Sequence, residues 1–534
     1  MKRCPQCGRD YDLTMSYCLD DGAELLYGPA VEAEPQTAVL HDATAILPGT
    51  SIPERSVTTV DERHSSRSVK PLVIAAAGLV ILAAAFFGYR YIAQGKQISS
   101  IAVMPFTNAS GDVNVEYLSD GMAETLMQGL SQMPGLNVKS RSSVFRYKGK
   151  DVDAKTIGRE LGVQAILNGR VIQLGESLRL SLELINTDNE NIIWAETYDR
   201  KLTDLVSLQN DIARDVSNKL RLKLTSADEQ KLAKNYTADP EVYRLYLQGR
   251  YYRNKRTFSE VAKAVPYFKE AVDRDPNFAL GYVGLADSDE DVDRPLKKEY
   301  IRKALDIEPN LAEAHASLGY QYMLDYDWLA SEREMKRAIE LDPKYGQAYA
   351  WNGARAMMIG RYDEALASID QALMIDPASN GFNFYKGVCL GAAGRFDEAI
   401  EQFKRGMALD PTFPWPHSHI SRIYRIKGDL AAAAEERAIS LDLDGRSDLA
   451  RGIREAFAKG GWEAVQDYMR VQNPNGLSMM LTTHPTEQWI KQLTDQAEQG
   501  SFWLFLIKVD PIFDPLRGDP RFEAIVHKFD PPPA

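Results

Sequence analysis

Two stretches of the chain, GRYDEALASIDQALMIDP at residues 360–377 and GRFDEAIEQFKRGMALDP at residues 394–411, are near copies placed 34 residues apart. Prolines recur at this spacing at the end of each copy and at three earlier positions, except that the first interval is 33 residues. They are Pro276, Pro309, Pro343, Pro377 and Pro411. Because proline cannot donate the next backbone hydrogen bond of a helix, each is expected to end a helix. The pattern predicts a row of repeats built from two helices each.

Small residues recur where two packed helices must approach each other, and bulky Ile369 and Phe403 fill the space between them. The small residues are Gly353, Ala365, Ala372, Gly387, Ala399 and Gly406. With its 34-residue period, the pattern is identified as that of tetratricopeptide repeats. This implies an all-α superhelical solenoid over residues 240–443, of a kind that binds peptides or proteins. Residues 444–534 are expected to form degenerate helical repeats and a C-terminal cap that shields the last exposed apolar face.

Residues 98–222 have a different pattern, in which strand-like runs alternate with amphipathic helices. Gly175-Glu176 and Asp188-Asn189 separate three β-rich runs as hairpin turns, so an α+β domain with a mixed sheet is predicted. The motifs IAVMPF, YLSDGMAETL, RSSVF, LGVQAILNGRV and WAETYDR occur in the order found in the TolB-like amino-terminal domain. The segment resembles that domain, which implies a small module that helps to bind partners and has no known catalytic residues.

Three of the four cysteines lie in the first twenty residues. Cys4 and Cys7 can present two thiolates to one tetrahedral ion, Cys18 can supply a third, and Asp21 stands where a fourth cysteine would be expected. Residues 1–26 resemble the short zinc ribbons at the head of many bacterial membrane proteins, which implies a structural Zn²⁺ site. A loose cysteine-bearing tail is the alternative. Residues 27–70 have little apolar periodicity and are expected to be a disordered linker.

An apolar run, PLVIAAAGLVILAAAFFGY at residues 71–89, contains no charged residue. Its length nearly matches a hydrocarbon core of roughly 30 Å, so residues 71–92 are predicted to be a transmembrane helix. Basic residues are more frequent before the run than after it, which favours a cytoplasmic N-terminus. The expected localisation is therefore a single-pass bacterial inner-membrane protein with its C-terminal domains outside the cytoplasm.

The sequence contains no Walker phosphate loop, GxGxxG turn, GxSxG elbow, HExxH pair or kinase signature. No catalytic residue, organic cofactor or small-molecule substrate is indicated, and an enzyme is not expected. The formal net charge of -12 argues against a general nucleic-acid binder, which usually carries a basic excess.

The remaining candidate site is the concave side of the solenoid, which the first helix of each repeat lines. Mixed apolar and basic side chains there suit an extended peptide or a helix of a partner. By repeat alignment, the residues that face this groove are Tyr320, Met323, Met357, Phe384, Val388, Arg422 and Arg425. The predicted function is a membrane-anchored protein-interaction scaffold. The alternative is a transmembrane signalling or transcription regulator whose output module is the zinc ribbon.

Overall fold

The structure is a computed structural model, and it describes residues 2–3, 10–11, 98–220, 225–226, 237–255, 258–288, 294–472, 486–498, 504, 507–508 and 511–530. Near the N-terminus, strand β1 (Lys2–Arg3) pairs antiparallel with β2 (Asp10–Tyr11). The four predicted zinc ligands, Cys4, Cys7, Cys18 and Asp21, lie outside the described residues. The zinc ribbon therefore stays a prediction, and so does the disordered linker.

The predicted localisation is corrected by the structure. In the part of the chain that is described, no helix combines the length and the apolar character needed to cross a bilayer. The helix Phe396–Leu409, for example, is amphipathic, with the charged residues Asp397, Glu401 and Lys404 on its exposed face. Residues 71–92, on which the prediction rested, lie outside the described residues.

A mixed sheet with helices forms the first part of the chain from residue 98. The strands are β3 (Ser100–Val103), β4 (Thr107–Asn108), β5 (Asn137–Val138), β6 (Ala165–Leu174), β7 (Ser177–Asn186) and β8 (Ile192–Lys201). Their order is β5-β3-β6-β7-β8, and β4 also pairs with β6. β3 is parallel to both of its neighbours, whereas β6, β7 and β8 form an antiparallel meander. The helices are α1 (Glu116–Ser131), α2 (Arg141–Phe145), α3 (Ala154–Leu161) and α4 (Leu205–Lys219).

The alternation of side chains along β7 shows why this sheet forms. Leu178, Leu180, Leu182 and Leu184 are buried, whereas Arg179 and the other residues between them are exposed or half-buried. Since successive side chains in a strand point to opposite faces, one face of the sheet packs on the apolar core. That core includes Leu118, Met122 and Leu126 of α1, together with buried residues of α4. This domain is called the α+β domain below.

Helix pairs follow from residue 240. The first pair is α5 (Pro240–Arg253) and α6 (Phe258–Arg274), the second α7 (Ala279–Ser288) and α8 (Arg294–Ile307), and the third α9 (Ala312–Leu324) and α10 (Trp328–Leu341). The fourth is α11 (Gly346–Met358) and α12 (Tyr362–Ile375), the fifth α13 (Asn380–Ala392) and α14 (Phe396–Leu409), and the sixth α15 (Trp415–Lys427) and α16 (Leu430–Leu443). These pairs are called repeats one to six.

The small residues of the repeats lie where the sequence pattern predicts. A Cβ atom added at Gly353 would come within 2.5 Å of Ile369, and one at Gly387 within 2.5 Å of Phe403. Gly360 adopts a φ of +78° in the turn between two helices, a conformation that favours glycine. Because a side chain at Gly353 or Gly387 would overlap the neighbouring helix, glycine at these positions lets the two helices of repeats four and five approach closely.

The C-terminal segment packs against repeat three. It comprises α17 (Ser447–Gln472), α18 (Thr486–Glu498) and α19 (Pro520–Val526). Trp328 Nε1 donates to the Lys528 carbonyl at 3.0 Å, and the ring of Phe529 lies 5.0 Å from that of Tyr326. The segment therefore extends the row of helices and also packs on repeat three, in the middle of the solenoid. A cap at the end of the solenoid would contact the last repeat alone.

Candidate partner-binding groove

The predicted groove residues have different environments. Tyr320 is half-buried and stacks on Trp351 with ring centroids 4.8 Å apart. Met323 and Met357 are buried, in an apolar cluster that also contains C-terminal residues such as Trp489 and Phe529. These three residues contribute to packing, and the sequence alone does not show what covers them.

Phe384 is buried at the junction of repeats five and six. Its ring lies 5.9 Å from Phe413, 5.7 Å from Trp415 and 5.0 Å from His419. Burial lowers the pKa of His419 to about 3, and the nearby Arg422 guanidinium lowers it too. The imidazole is therefore neutral at physiological pH, and the cluster as a whole is a packed aromatic core.

Val388 and Arg422 border a pocket of about 270 Å³ between repeats five and six. Its described lining is mostly apolar, and it includes Gly391, Ala392, Phe403, Ile423 and Ile426. A Cβ at Gly391 would meet nothing closer than 3.8 Å, because the space beside it is the pocket. The last predicted groove residue, Arg425, is half-buried one turn beyond Arg422. An apolar pocket with a basic group at its border can receive an apolar side chain of a partner.

The α+β domain contacts repeats one, three and four. Glu124 of α1 is at the centre of the contact, with a side chain only 4% exposed. It accepts hydrogen bonds from Arg250 Nη2 at 3.0 Å and from Asn254 Nδ2 at 2.9 Å, and it is also paired with Arg141 of its own domain. Two groups of repeat one and one of the α+β domain therefore share one buried carboxylate, which fixes the two parts together.

Further contacts extend this interface along the solenoid. In repeat one, Tyr243 donates to either Thr125 or Gln209, whose oxygens lie 3.0 and 2.6 Å from its hydroxyl. At the far end, Ser140 Oγ donates to Asp376 Oδ1 at 2.7 Å, at the end of repeat four. Lys344, between repeats three and four, donates to the Ser131 carbonyl.

Between the α+β domain and the first four repeats lies a cavity of about 730 Å³. Apolar side chains from both sides line it, including Met127 and Leu136 of the α+β domain and Leu280 and Val283 of repeat two. Polar and aromatic residues complete the wall, among them Tyr246, Arg253, Asp287, Glu313 and Tyr345. Its volume is typical of sites that bind small ligands, which often lie between domains.

Sequence reasoning missed the groove residues of the first two repeats. Arg250 and Asp287 directly follow the small residues Gly249 and Ala286, as Tyr320 follows Gly319. Alignment on these small residues, instead of on the prolines, would have found them despite the irregular spacing. No sequence signal shows that the α+β domain covers them.

Comparison with known proteins gives partial matches. Residues 96–215 match a family model described as the second domain of HilA/YgeH-like transcriptional regulators. A curated relative from Rhizobium meliloti (strain 1021), named putative adenylate cyclase 3, is 33% identical over 227 residues. That match covers 42% of this chain and spans 33% of the relative's length.

Solved structures are similar in the helical repeats. One is YrrB, described as a TPR protein with an unusual peptide-binding site, at 20% identity and a TM-score of 0.25, covering 35% of this chain and 97% of that one. Another is Pseudomonas aeruginosa pilF, at 21% identity and a TM-score of 0.30, covering 40% of this chain and 96% of that one. The likeness concerns the fold alone. The predicted solenoid of tetratricopeptide type, preceded by a sheet-containing domain, is confirmed.

Proposed function

We propose that this chain is a protein-interaction module that binds a peptide segment of a partner protein in the groove of repeats five and six. The observation that carries the proposal is the apolar pocket beside Val388 and Arg422, whose described lining belongs to repeats four to six. The α+β domain contacts the earlier repeats, so none of its described residues lines this pocket. An apolar side chain of the partner would enter the pocket, and Arg422 would lie beside the bound segment.

Two glycine variants test this proposal. Gly391→Leu fills the pocket from a helical position where a Cβ meets no atom closer than 3.8 Å. It also replaces glycine within a helix, which favours the fold by roughly 0.5–1 kcal/mol. Gly406→Ala is the matched control, because it brings a similar helical gain, its Cβ would lie 3.5 Å from Asn383, and it does not line the pocket.

The experiment begins with selection of peptides from a displayed library on the full chain. Affinities of the selected peptides are then measured by fluorescence anisotropy for the wild type and both variants. Since burial of an aliphatic side chain contributes about 1.5–3 kcal/mol, Gly391→Leu should weaken binding by about tenfold or more. Gly406→Ala should leave binding within about twofold. Equal binding by all three proteins would refute the proposed site.

A second candidate function is regulation of transcription, and the match of residues 96–215 to a regulator domain favours it. In this case the α+β domain, which resembles the TolB-like domain, and the repeats would sense a partner, and residues 1–26 would be the output module with a structural Zn²⁺ on Cys4, Cys7, Cys18 and Asp21. A mobility-shift assay of the full chain with genomic DNA fragments, with Zn²⁺ present and with Cys4→Ser as control, separates the two functions. A specific, zinc-dependent shift would favour regulation. Both proposals assign no catalysis to this chain.

A further inference from the structure

The cavity between the α+β domain and repeats one to four is separate from the proposed partner pocket. The two share no lining residue among those described. The lining of the cavity combines apolar residues, which include Phe268, Leu280 and Val283, with charged groups of both the α+β domain and the repeats. A cavity between domains that combines apolar and polar groups is a common place for a small ligand.

The ion pairs of the lining show which of its charged groups already have a counter-ion. Glu124 is paired with Arg141 and Arg250, and Asp287 is paired with Arg253 at 2.7 Å. These pairs engage the three arginines that line the cavity. A ligand anion at these arginines would have to compete with the carboxylates that already hold them. Two lysines also line the cavity: Lys344 is exposed and donates to the Ser131 carbonyl, and Lys139 is half-buried.

Glu313 differs from the lining carboxylates Glu124 and Asp287, which are paired with arginines. Asp342 lines the cavity too and, like Glu313, accepts a hydrogen bond from a glutamine at 3.3 Å, in its case from Gln132 Nε2. Glu313 lies in the first turn of α9, and its side chain is half-buried at the cavity wall. Among the described residues, its hydrogen bond from another side chain comes from Gln128 Nε2, at a long 3.3 Å. No lysine or arginine of the described chain is within ion-pair distance of it. Glu313 thus offers the cavity a carboxylate that a cation would satisfy.

Two tyrosine rings border the same part of the cavity. Burial raises the pKa of Tyr345, and the carboxylates of Glu313 and Asp287 raise it further. Burial also raises the pKa of Tyr246, where Arg250 opposes the shift and Glu313 adds to it. Both phenols are therefore neutral at physiological pH. Their rings can lie against an ammonium or guanidinium group, which is attracted to aromatic faces.

We propose that this cavity binds an organic cation, a primary ammonium or guanidinium group on an apolar chain, with Glu313 as its counter-ion and Tyr246 and Tyr345 beside it. The apolar wall of repeats one and two would hold the chain of the ligand. The cation can come from a lysine or arginine side chain of a peptide or from a free diamine, and both carry the same chemistry. The proposal does not depend on the partner pocket in repeats five and six.

The surroundings of Glu313 should make the affinity for a cation depend on pH. Burial raises the pKa of Glu313, Asp342 and Glu308 raise it further, and Arg250 and the residue's own backbone amide lower it. A cation binds the ionised carboxylate, so affinity should fall as the pH drops through this raised pKa. Binding of the cation should in turn lower the pKa of Glu313.

The test uses the full chain and isothermal titration calorimetry with capped peptides. Ala-Lys-Ala is the cationic probe, Ala-norleucine-Ala is its neutral analogue, Ala-Glu-Ala is the anionic probe, and 1,5-diaminopentane is the free diamine. We expect Ala-Lys-Ala to bind at least about tenfold more tightly than the neutral and anionic peptides. Binding of the diamine alone would assign the site to a free amine, and binding of the peptide as well would assign it to a basic side chain.

Glu313→Gln should reduce the affinity for the cationic probe at least about tenfold and remove its pH dependence. The unliganded variant should remain as stable as the wild type or become more stable, because a half-buried charge without a counter-ion is removed. Glu299→Gln is the matched control, since this residue is exposed on α8 and does not line the cavity. Equal binding of cation by Glu313→Gln, tighter binding of the anionic peptide, or binding of none of the probes would overturn the proposal.

Discussion

Replacement of Glu124 by glutamine tests how the α+β domain is held on the solenoid. Glutamine keeps the size of the side chain and one acceptor oxygen, but it removes the charge and places an amide NH₂ near two guanidinium groups. The Glu124 side chain is 4% exposed, whereas those of Arg250 and Arg141 are 23% and 35% exposed. Water can therefore reach both cations partly, and it reduces the cost of the lost charge.

The expected magnitude follows from these contacts. A hydrogen bond to a charged group contributes about 1.5–3 kcal/mol and a neutral one about 0.5–1.5 kcal/mol, so each of the two arginine contacts should lose about 1 kcal/mol. Removal of one partner of a fully buried pair costs about 3–5 kcal/mol, which is an upper limit here. We expect Glu124→Gln to destabilise the interface by about 2 kcal/mol.

Amide hydrogen exchange is the suitable assay, because it gives local opening free energies in a chain of several units. The loss of about 2 kcal/mol should appear in α1 and α5, which meet at Glu124, and not in α14. Glu160→Gln is the control, since that carboxylate is 44% exposed and pairs with Arg146 at 3.2 Å. Its loss should cost no more than about 0.5 kcal/mol.

A double-mutant cycle with Arg250→Gln isolates the pairwise contribution across the interface. The two changes should couple by about 1 kcal/mol, since the arginine contacts the carboxylate directly. The reasoning is refuted if Glu124→Gln costs no more than Glu160→Gln. It is also refuted if the coupling with Arg250 is below about 0.3 kcal/mol.

Three further predictions concern the repeats, and each has its own assay. Gly353→Ala should destabilise repeat four by about 1–3 kcal/mol, measured by hydrogen exchange, because the added Cβ would lie 2.5 Å from Ile369 and 3.0 Å from the Ala365 carbonyl. Gly406→Ala should not destabilise its repeat, because the nearest atom to its added Cβ is 3.5 Å away. As the pH falls from about 6.5 towards 3, His419 should lower the free energy of unfolding by up to about 1.4 kcal/mol per pH unit, because the unfolded chain binds a proton that the buried imidazole does not. Urea titrations should show that His419→Gln removes this contribution to the pH dependence of stability. An unchanged pH dependence would contradict the lowered pKa of His419. Trp328→Phe should lose the hydrogen bond to Lys528 and about 1 kcal/mol, seen as faster exchange in α19, with no change in α14.

The repeats were predictable because their signal is local and periodic. Each proline and each small residue constrains a neighbour within one repeat, so Gly353, Ile369 and Pro377 can be assigned from a single period. The meander β6–β7–β8 was predictable for a similar reason, since its apolar alternation and the turn at Gly175 lie within about forty residues. Both patterns predict the local structure directly from neighbouring residues.

The contacts between distant parts of the chain could not be predicted in this way. Glu124 and Arg250 are 126 residues apart, and Trp328 and Lys528 are 200 apart, and neither pair belongs to a periodic pattern. Repeat alignment places Met323 and Phe384 on the first helices of their repeats. It gave no information on the other segments that pack there, so these residues were assigned to a partner although they are buried within the chain.

The division of the groove is the central claim, with the α+β domain on repeats one to four and the partner pocket in repeats five and six. Hydrogen exchange of the full chain, with and without a peptide selected from a displayed library, tests it most directly. The account predicts new protection in α13 and α15, around Val388 and Arg422, and no change in α1 or α5. Protection of α5 and α7, with faster exchange in α1, would mean that the partner displaces the α+β domain, and it would contradict the account.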